Sequence, residues 1–225
     1  SKVCRDALVR RCEMKVKKVN RGEETLIPKS RWVSEKEIQG NDEMVLKHPI
    51  INEAFERIIQ LHKPKHRIAF VSLCTATRPY SQSRKWKKFK ELFGDKADLI
   101  ICSNGGIIPI GFENCYPYLT YDAHGQAKYD KLYIRIVYER LMKFFERHHY
   151  DVIIFNFRPQ LRNRIAALKF QQTYKGNSKI YILPTPRVYA EAKRRGFPAG
   201  KMYPDLDDVV LKQMVQVING NYKPV

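Results

Sequence analysis

The sequence predicts an α/β fold, a parallel sheet with crossover helices, and three observations point to it. Short runs rich in β-branched residues alternate with segments whose apolar residues recur at helical spacing. The 225 residues are 44% apolar, enough for one sizeable core and too few for two full domains. No internal repeat or low-complexity tract points instead to a solenoid or a disordered tail.

The elements follow in order. Ile51, Phe55, Ile58 and Ile59 mark one helical face, and a strand comes next at Arg67 to Cys74 (RIAFVSLC). A helix from about Ser83 turns Trp86, Phe89 and Phe93 inward, before a second strand at Asp98 to Ser103 (DLIICS). A long helix over Lys128 to Arg147 sets Ile134, Val137, Leu141, Phe144 and Phe145 on one stripe. The third strand is Asp151 to Phe157 (DVIIFNF), followed by a helix near Leu161 to Tyr174. The fourth strand is Lys179 to Leu183 (KIYIL), with a short helix near Val188 to Arg195 after it. A closing helix starts at about Asp205, where Asp205, Asp207 and Asp208 suit a helix N-terminus and Leu206, Val209, Val210, Val217 and Ile218 form the buried stripe. Residues 1–45 lack this regularity and read as an N-terminal extension or lid ahead of a core domain at 46–225.

Charge separates the candidate functions. The chain carries 42 Lys plus Arg against 23 Asp plus Glu, a net +19. Two blocks hold the excess: Arg57 to Lys96 has 11 basic residues against 2 acidic, and Arg158 to Lys201 has 11 against 1. One basic helix face is an ordinary solvated surface, whereas two separated blocks of this strength point to a polyanionic partner. No apolar run reaches bilayer length, and the first residues have no signal-peptide core, so a cytoplasmic protein without a membrane partner is expected. The five cysteines, an odd number without a CxxC pair or zinc spacing, fit a reducing compartment, and neither metal nor cofactor is expected.

In open α/β sheets ligands bind beyond the carboxyl ends of the strands. That rule nominates the loops at Thr75 to Ser83 (TATRPYSQS), Asn104 to Asp122, Arg158 to Gln160 and Pro184 to Arg187. Both basic blocks straddle these loops, so Arg78, Arg84, Lys85, Arg158, Arg162 and Arg187 are expected to make an electropositive rim that binds nucleic acid. Within TATRPYSQS the arginine is a phosphate ligand, Tyr80 a stacking face, and Thr77, Ser81 and Ser83 hydroxyl ligands beside a helix N-terminus. The competing reading is a Pro-containing turn with Ser83 as an ordinary N-cap. Asn104, Gly105 and Gly106 either approach a flat base closely or form a common turn. Asp122, after Tyr121, is either a general base or a turn residue, and His124 is the titratable group nearby. His148 and His149 precede a strand and fall at the opposite rim.

The TATRPYSQS loop resembles the signature of the archaeosine synthase core domain, Pro-Cys-x3-Lys-Pro-Tyr-x2-Ser-x2-His. Here the register runs Leu73, Cys74, Arg78, Pro79, Tyr80, Ser83 and Trp86, so Leu73, Arg78 and Trp86 stand where that family has Pro, Lys and His. Downstream, Gly106, Pro109, Tyr116, Pro117, Tyr121 and Asp122 are similar to the family's segment after its second strand. The resemblance spans residues 48 to 185. It implies a three-layer α/β/α sandwich, similar to uracil-DNA glycosylases, with a mainly parallel sheet of about four strands. It further implies a role on tRNA in the archaeosine (7-deazaguanine) pathway. Asp122 and Arg78 would then be catalytic, with Thr77, Tyr80, Ser81, Ser83, Asn104, Gly105, Gly106 and Tyr121 around the base. A lysine amine can lose its proton and attack, whereas the guanidinium of Arg78 stays charged. Two alternatives therefore stand beside a tRNA-modifying transferase. One is a non-catalytic subunit that delivers tRNA to a partner protein carrying a transglycosylase-like or PUA domain, both of which this chain is too short to hold. The other is a base-excision glycosylase, which rests on fold analogy alone.

Overall fold

The structure, a computed structural model, describes residues 25–123, 131–196 and 204–222. Its centre is a five-stranded sheet of β2 (Ile68–Leu73), β3 (Asp98–Ser103), β4 (Gly106–Pro109), β6 (Val152–Asn156) and β7 (Lys179–Leu183) in the order β4-β3-β2-β6-β7. Four strands are parallel and β4 is antiparallel to β3. The helices are α1 (Asp42–Lys47), α2 (Pro49–Leu61), α3 (Arg84–Phe93), α4 (Lys131–Arg147), α5 (Arg162–Thr173), α6 (Pro186–Arg194) and α7 (Asp208–Ile218). Among these, α1, α2, α4 and α5 pack on one side of the sheet and α3, α6 and α7 on the other, so the fold is a three-layer α/β/α sandwich.

The inner strands are largely apolar because both faces are covered; every residue of β3 is buried. The expected strands and helices fall within a few residues of the observed ones, except that residues 128–130 at the start of the long helix lie outside the described residues. One expectation is corrected. Asn104 to Asp122 is not one long loop: Asn104 and Gly105 form a two-residue hairpin turn, and GIIP returns as the antiparallel edge strand β4. An Asn-Gly pair between apolar residues is the strongest short-range hairpin signal, and Gly106 supplies the positive φ of 136° that a side chain would resist. The leading segment, as far as it is described, packs on the core: Leu26, Ile27, Ile38 and Val45 are buried with the sheet residues. Its strand β1 (Gln39–Gly40) pairs in parallel with β5 (Asp122–Ala123), and Trp32 stacks on Tyr116 at 4.6 Å.

The chain runs from β2 outward to β3, then crosses back over β2 to β6 and β7. The crossovers on the two sides lie on opposite faces, which leaves a crevice between the carboxyl ends of β2 and β6. Leu73, Cys74 and Thr75 end one strand there, and Asn156, Phe157 and Arg158 the other.

Candidate nucleic-acid site at the carboxyl rim

Three helices begin at this rim, each directly after a parallel strand or its loop. Ser83 caps α3 by accepting from the Trp86 N–H, and Thr185 caps α6 by accepting from the Val188 N–H. α5 starts after Leu161 with no side-chain cap. Helix N-termini carry unsatisfied N–H groups and the positive end of the macrodipole, so the rim favours anions before any side chain is counted.

The side chains sort into two groups. Arg84 and Arg187 sit exposed on the first turns of α3 and α6, while Arg158 is half-buried just beyond β6. Thr77 and Asp122 are exposed and Ser81 half-buried at the same rim. Asp122 lies within electrostatic reach of Cys74 and Arg78.

The other group is internal. Tyr80 has 0% of its surface exposed, so its ring cannot stack on a base. Instead its hydroxyl bonds the Tyr121 hydroxyl at 2.6 Å, and the Tyr121 hydroxyl in turn meets Ser103 Oγ at 2.7 Å. The Gly105 N–H donates to Ser103 Oγ at 3.0 Å and closes the chain onto the hairpin turn. Burial, the leading cause, raises the pKa of both phenols and keeps them neutral. Removing the Tyr80 hydroxyl leaves a buried polar partner short of a bond, so Tyr80→Phe is expected to cost about 1–2 kcal/mol of stability. Urea unfolding checks this; an unchanged midpoint and slope would refute the network.

Arg78 belongs to this network as well. Its guanidinium donates to the Thr75 carbonyl at 3.0 Å and to the Tyr121 carbonyl at 3.4 Å, and lies 4.2 and 4.9 Å from the Tyr80 and Tyr121 ring centres. A planar cation bonded to two carbonyls and stacked on two rings holds the loop together. Ser83 is a buried cap. Asn104 donates its amide to Asp42 and accepts from Arg140 at its carbonyl, so it is a turn residue bonded inward. At Gly105 a Cβ would stand 3.0 Å from the Tyr118 and Tyr121 rings, and at Gly106 3.1 Å from Phe55, so these glycines serve packing.

Two of the expected nucleic-acid contacts also turn inward. Lys85 is 2% exposed; its ammonium donates to the Leu73 carbonyl at 2.8 Å and faces Asp205 at 3.6 Å. Desolvation lowers its pKa, only partly offset by Asp205. Arg162 pairs with Asp42 and lies 3.4 Å over the Tyr133 ring. Arg164, which sequence reasoning passed over, is buried and bonds the Phe157 and Pro184 carbonyls, tying the ends of β6 and β7 together. A cation in a charge block reads from sequence as exposed, because nothing local shows which carbonyls await it.

Around the crevice, three buried polar atoms have no hydrogen-bond partner among the described residues: Asn156 Oδ1, Arg158 Nε and Arg162 Nη1. Asn156 donates its amide to Ser72 Oγ at 3.1 Å across the β2–β6 pairing, which leaves the carbonyl unused. A native fold rarely leaves such groups unpaired; Asn156 and Arg158 lie at the carboxyl end of β6, and Arg162 is the first residue of α5. Asn156 was missed from sequence, although a lone amide in the apolar run DVIIFNF is a readable signal.

A family model for a domain of unknown function, DUF5591, matches residues 51–180. The chain belongs to the DUF5591 family. The matched segment runs from α2 into β7 and so contains both strands that frame the crevice. Among solved structures, the crystal structure of AF0587, a protein of unknown function, is similar with a TM-score of 0.51 at 15% identity. The alignment covers 76% of this chain and 51% of that one, so the DUF5591 chain spans about half the length of its structural relative. At that identity the likeness concerns the fold. No curated protein matches.

Proposed function

We propose that this protein binds tRNA at the carboxyl rim of its sheet, in the archaeosine (7-deazaguanine) pathway whose signature its first loop resembles. Phosphates would lie along Arg84, Arg158, Arg187 and the three helix N-termini, and a base edge would meet the crevice between β2 and β6. The observation that carries this reading is the carboxyl rim itself, where three helices begin and Arg84 and Arg187 stand exposed on two of their first turns, an arrangement that attracts anions.

The position of Arg78 favours the non-catalytic form of this reading, a subunit that presents tRNA to a catalytic partner. Its guanidinium is occupied by two carbonyls and two rings, and it cannot supply an amine nucleophile.

The test is fluorescence anisotropy with unmodified tRNA over a salt series. Affinity should fall steeply with salt, and Arg84→Glu or Arg187→Glu should each lower the logarithmic slope by about 1 while weakening all RNAs alike. Asn156→Ala, checked for folding by circular dichroism, should instead reduce discrimination between tRNAs. Binding indifferent to salt would exclude the reading, and nucleoside turnover by the isolated chain would exclude its non-catalytic form.

A further inference from the structure

At the opposite rim, where the strands begin, a cavity of 620 Å³ opens between α2, α3 and the ends of β3 and β4. Leu61, Pro109 and Phe112 form apolar walls, and the exposed Lys63, Lys65 and Lys90 stand around it. At its base lies Asp98, the first residue of β3, which is 8% exposed.

The bonds of Asp98 determine what faces the cavity. Oδ2 accepts from the Lys65 N–H at 2.9 Å and from the Tyr150 hydroxyl at 3.0 Å. Because that hydroxyl spends its single proton on Asp98, its 2.8 Å contact with His62 requires His62 Nε2 to donate. Oδ1 meets His66 Nδ1 at 2.8 Å. A carboxylate only accepts, so Nδ1 carries the proton of that contact and Nε2 is the ring nitrogen left for a ligand. His66 is 27% exposed at its side chain and lines the cavity. An imidazole oriented by a buried carboxylate, in an apolar pocket ringed by lysines, is a built arrangement. Glu113, which lies within electrostatic reach of Lys90, is buried and engaged by the Gly111 N–H and by Ser81, and the neighbouring Glu91 pairs with Lys88.

We propose that this cavity is a second binding site, independent of the tRNA site, for a small phosphate ester of about nucleotide size. Its volume lies within the 300–1,000 Å³ usual for small-molecule sites. The phosphate meets the lysines and, where the His66 ring carries both protons, its Nε2–H, and the apolar or planar body rests on Leu61, Pro109 and Phe112.

Titration of ¹⁵N-labelled protein with AMP, adenosine and inorganic phosphate tests this. AMP should shift the His66 ring resonances saturably below about 10 mM. Adenosine should leave them in place, and inorganic phosphate should bind more weakly than AMP by about tenfold. Lys63→Glu and Lys90→Glu, both exposed, should each weaken AMP by about fivefold or more while leaving tRNA affinity as it was. No saturable shift, equal binding of adenosine, or equal binding of inorganic phosphate overturns the proposal. So does a loss of tRNA binding in the lysine variants matching that of Arg84→Glu, since the cations would then belong to the RNA footprint.

Discussion

The protein is expected to unfold in alkali as the pH rises from about 10 to about 11, and a large set of buried acids is the reason. Tyr80, Tyr118, Tyr121, Tyr133 and Tyr150 all have their phenols pushed above the usual 10.0, with burial as the first cause. Burial likewise raises the Cys74 thiol, Cys102 to about 12 and Cys115 to about 11 from the usual 9.0. A group whose pKa is higher folded than unfolded holds its proton in the native state after the unfolded chain has lost it. Its contribution is therefore complete below the unfolded value and lost as the pH rises toward the folded one. Each such group steepens the decline by up to about 1.4 kcal/mol per pH unit, and a domain of this size has roughly 5–15 kcal/mol in hand. Lys85 acts in the opposite sense, because its folded pKa is lowered and rising pH relieves the cost of burying its charge. One group cannot offset the others. Circular dichroism and tyrosinate absorbance, followed together, should change in one cooperative step. Gradual tyrosinate formation from about pH 10 with the fold intact would show that the phenols are open to solvent.

The second large effect is expected at Lys85. Replacing it with Met should cost about 3–5 kcal/mol, because Asp205 is left buried beside an apolar chain with its countercharge gone. Lys85→Met combined with Asp205→Asn should recover most of the loss, as a neutral pair carries no uncompensated charge. Chemical denaturation of the two single variants and the double variant measures the coupling. A single variant within about 1 kcal/mol of the parent, or no recovery in the double, would mean that the ammonium and carboxylate do not depend on each other.

That pair shows where sequence reading stops. Lys85 falls in the run RKWKKFK on an amphipathic helix, where Trp86 and Phe89 mark the buried face and every lysine reads as solvated. It is buried because a carbonyl at the end of β2 and a carboxylate 120 positions later close over it. The same holds for Arg162 with Asp42, and for Asp98 with His66 and Tyr150. Tyr80 fails differently: a tyrosine in a polar loop offers either a face or a hydroxyl, and only its contact with Tyr121 shows which is used.

By itself the sequence determined the α/β class, the bounds of β3 and β7, the apolar stripes of the helices and the rim to which the basic loops belong. Those are local matters, since the period of apolar residues and the chemistry of caps and turns are written within a few neighbouring positions. Only the tertiary structure decided the strand order, which cations face solvent, and which buried polar atoms, Asn156 Oδ1, Arg158 Nε and Arg162 Nη1 among them, are left unpaired. Each of these depends on residues distant in sequence meeting in space, and burial of a charge or a polar atom is set by what packs against it rather than by the residue itself.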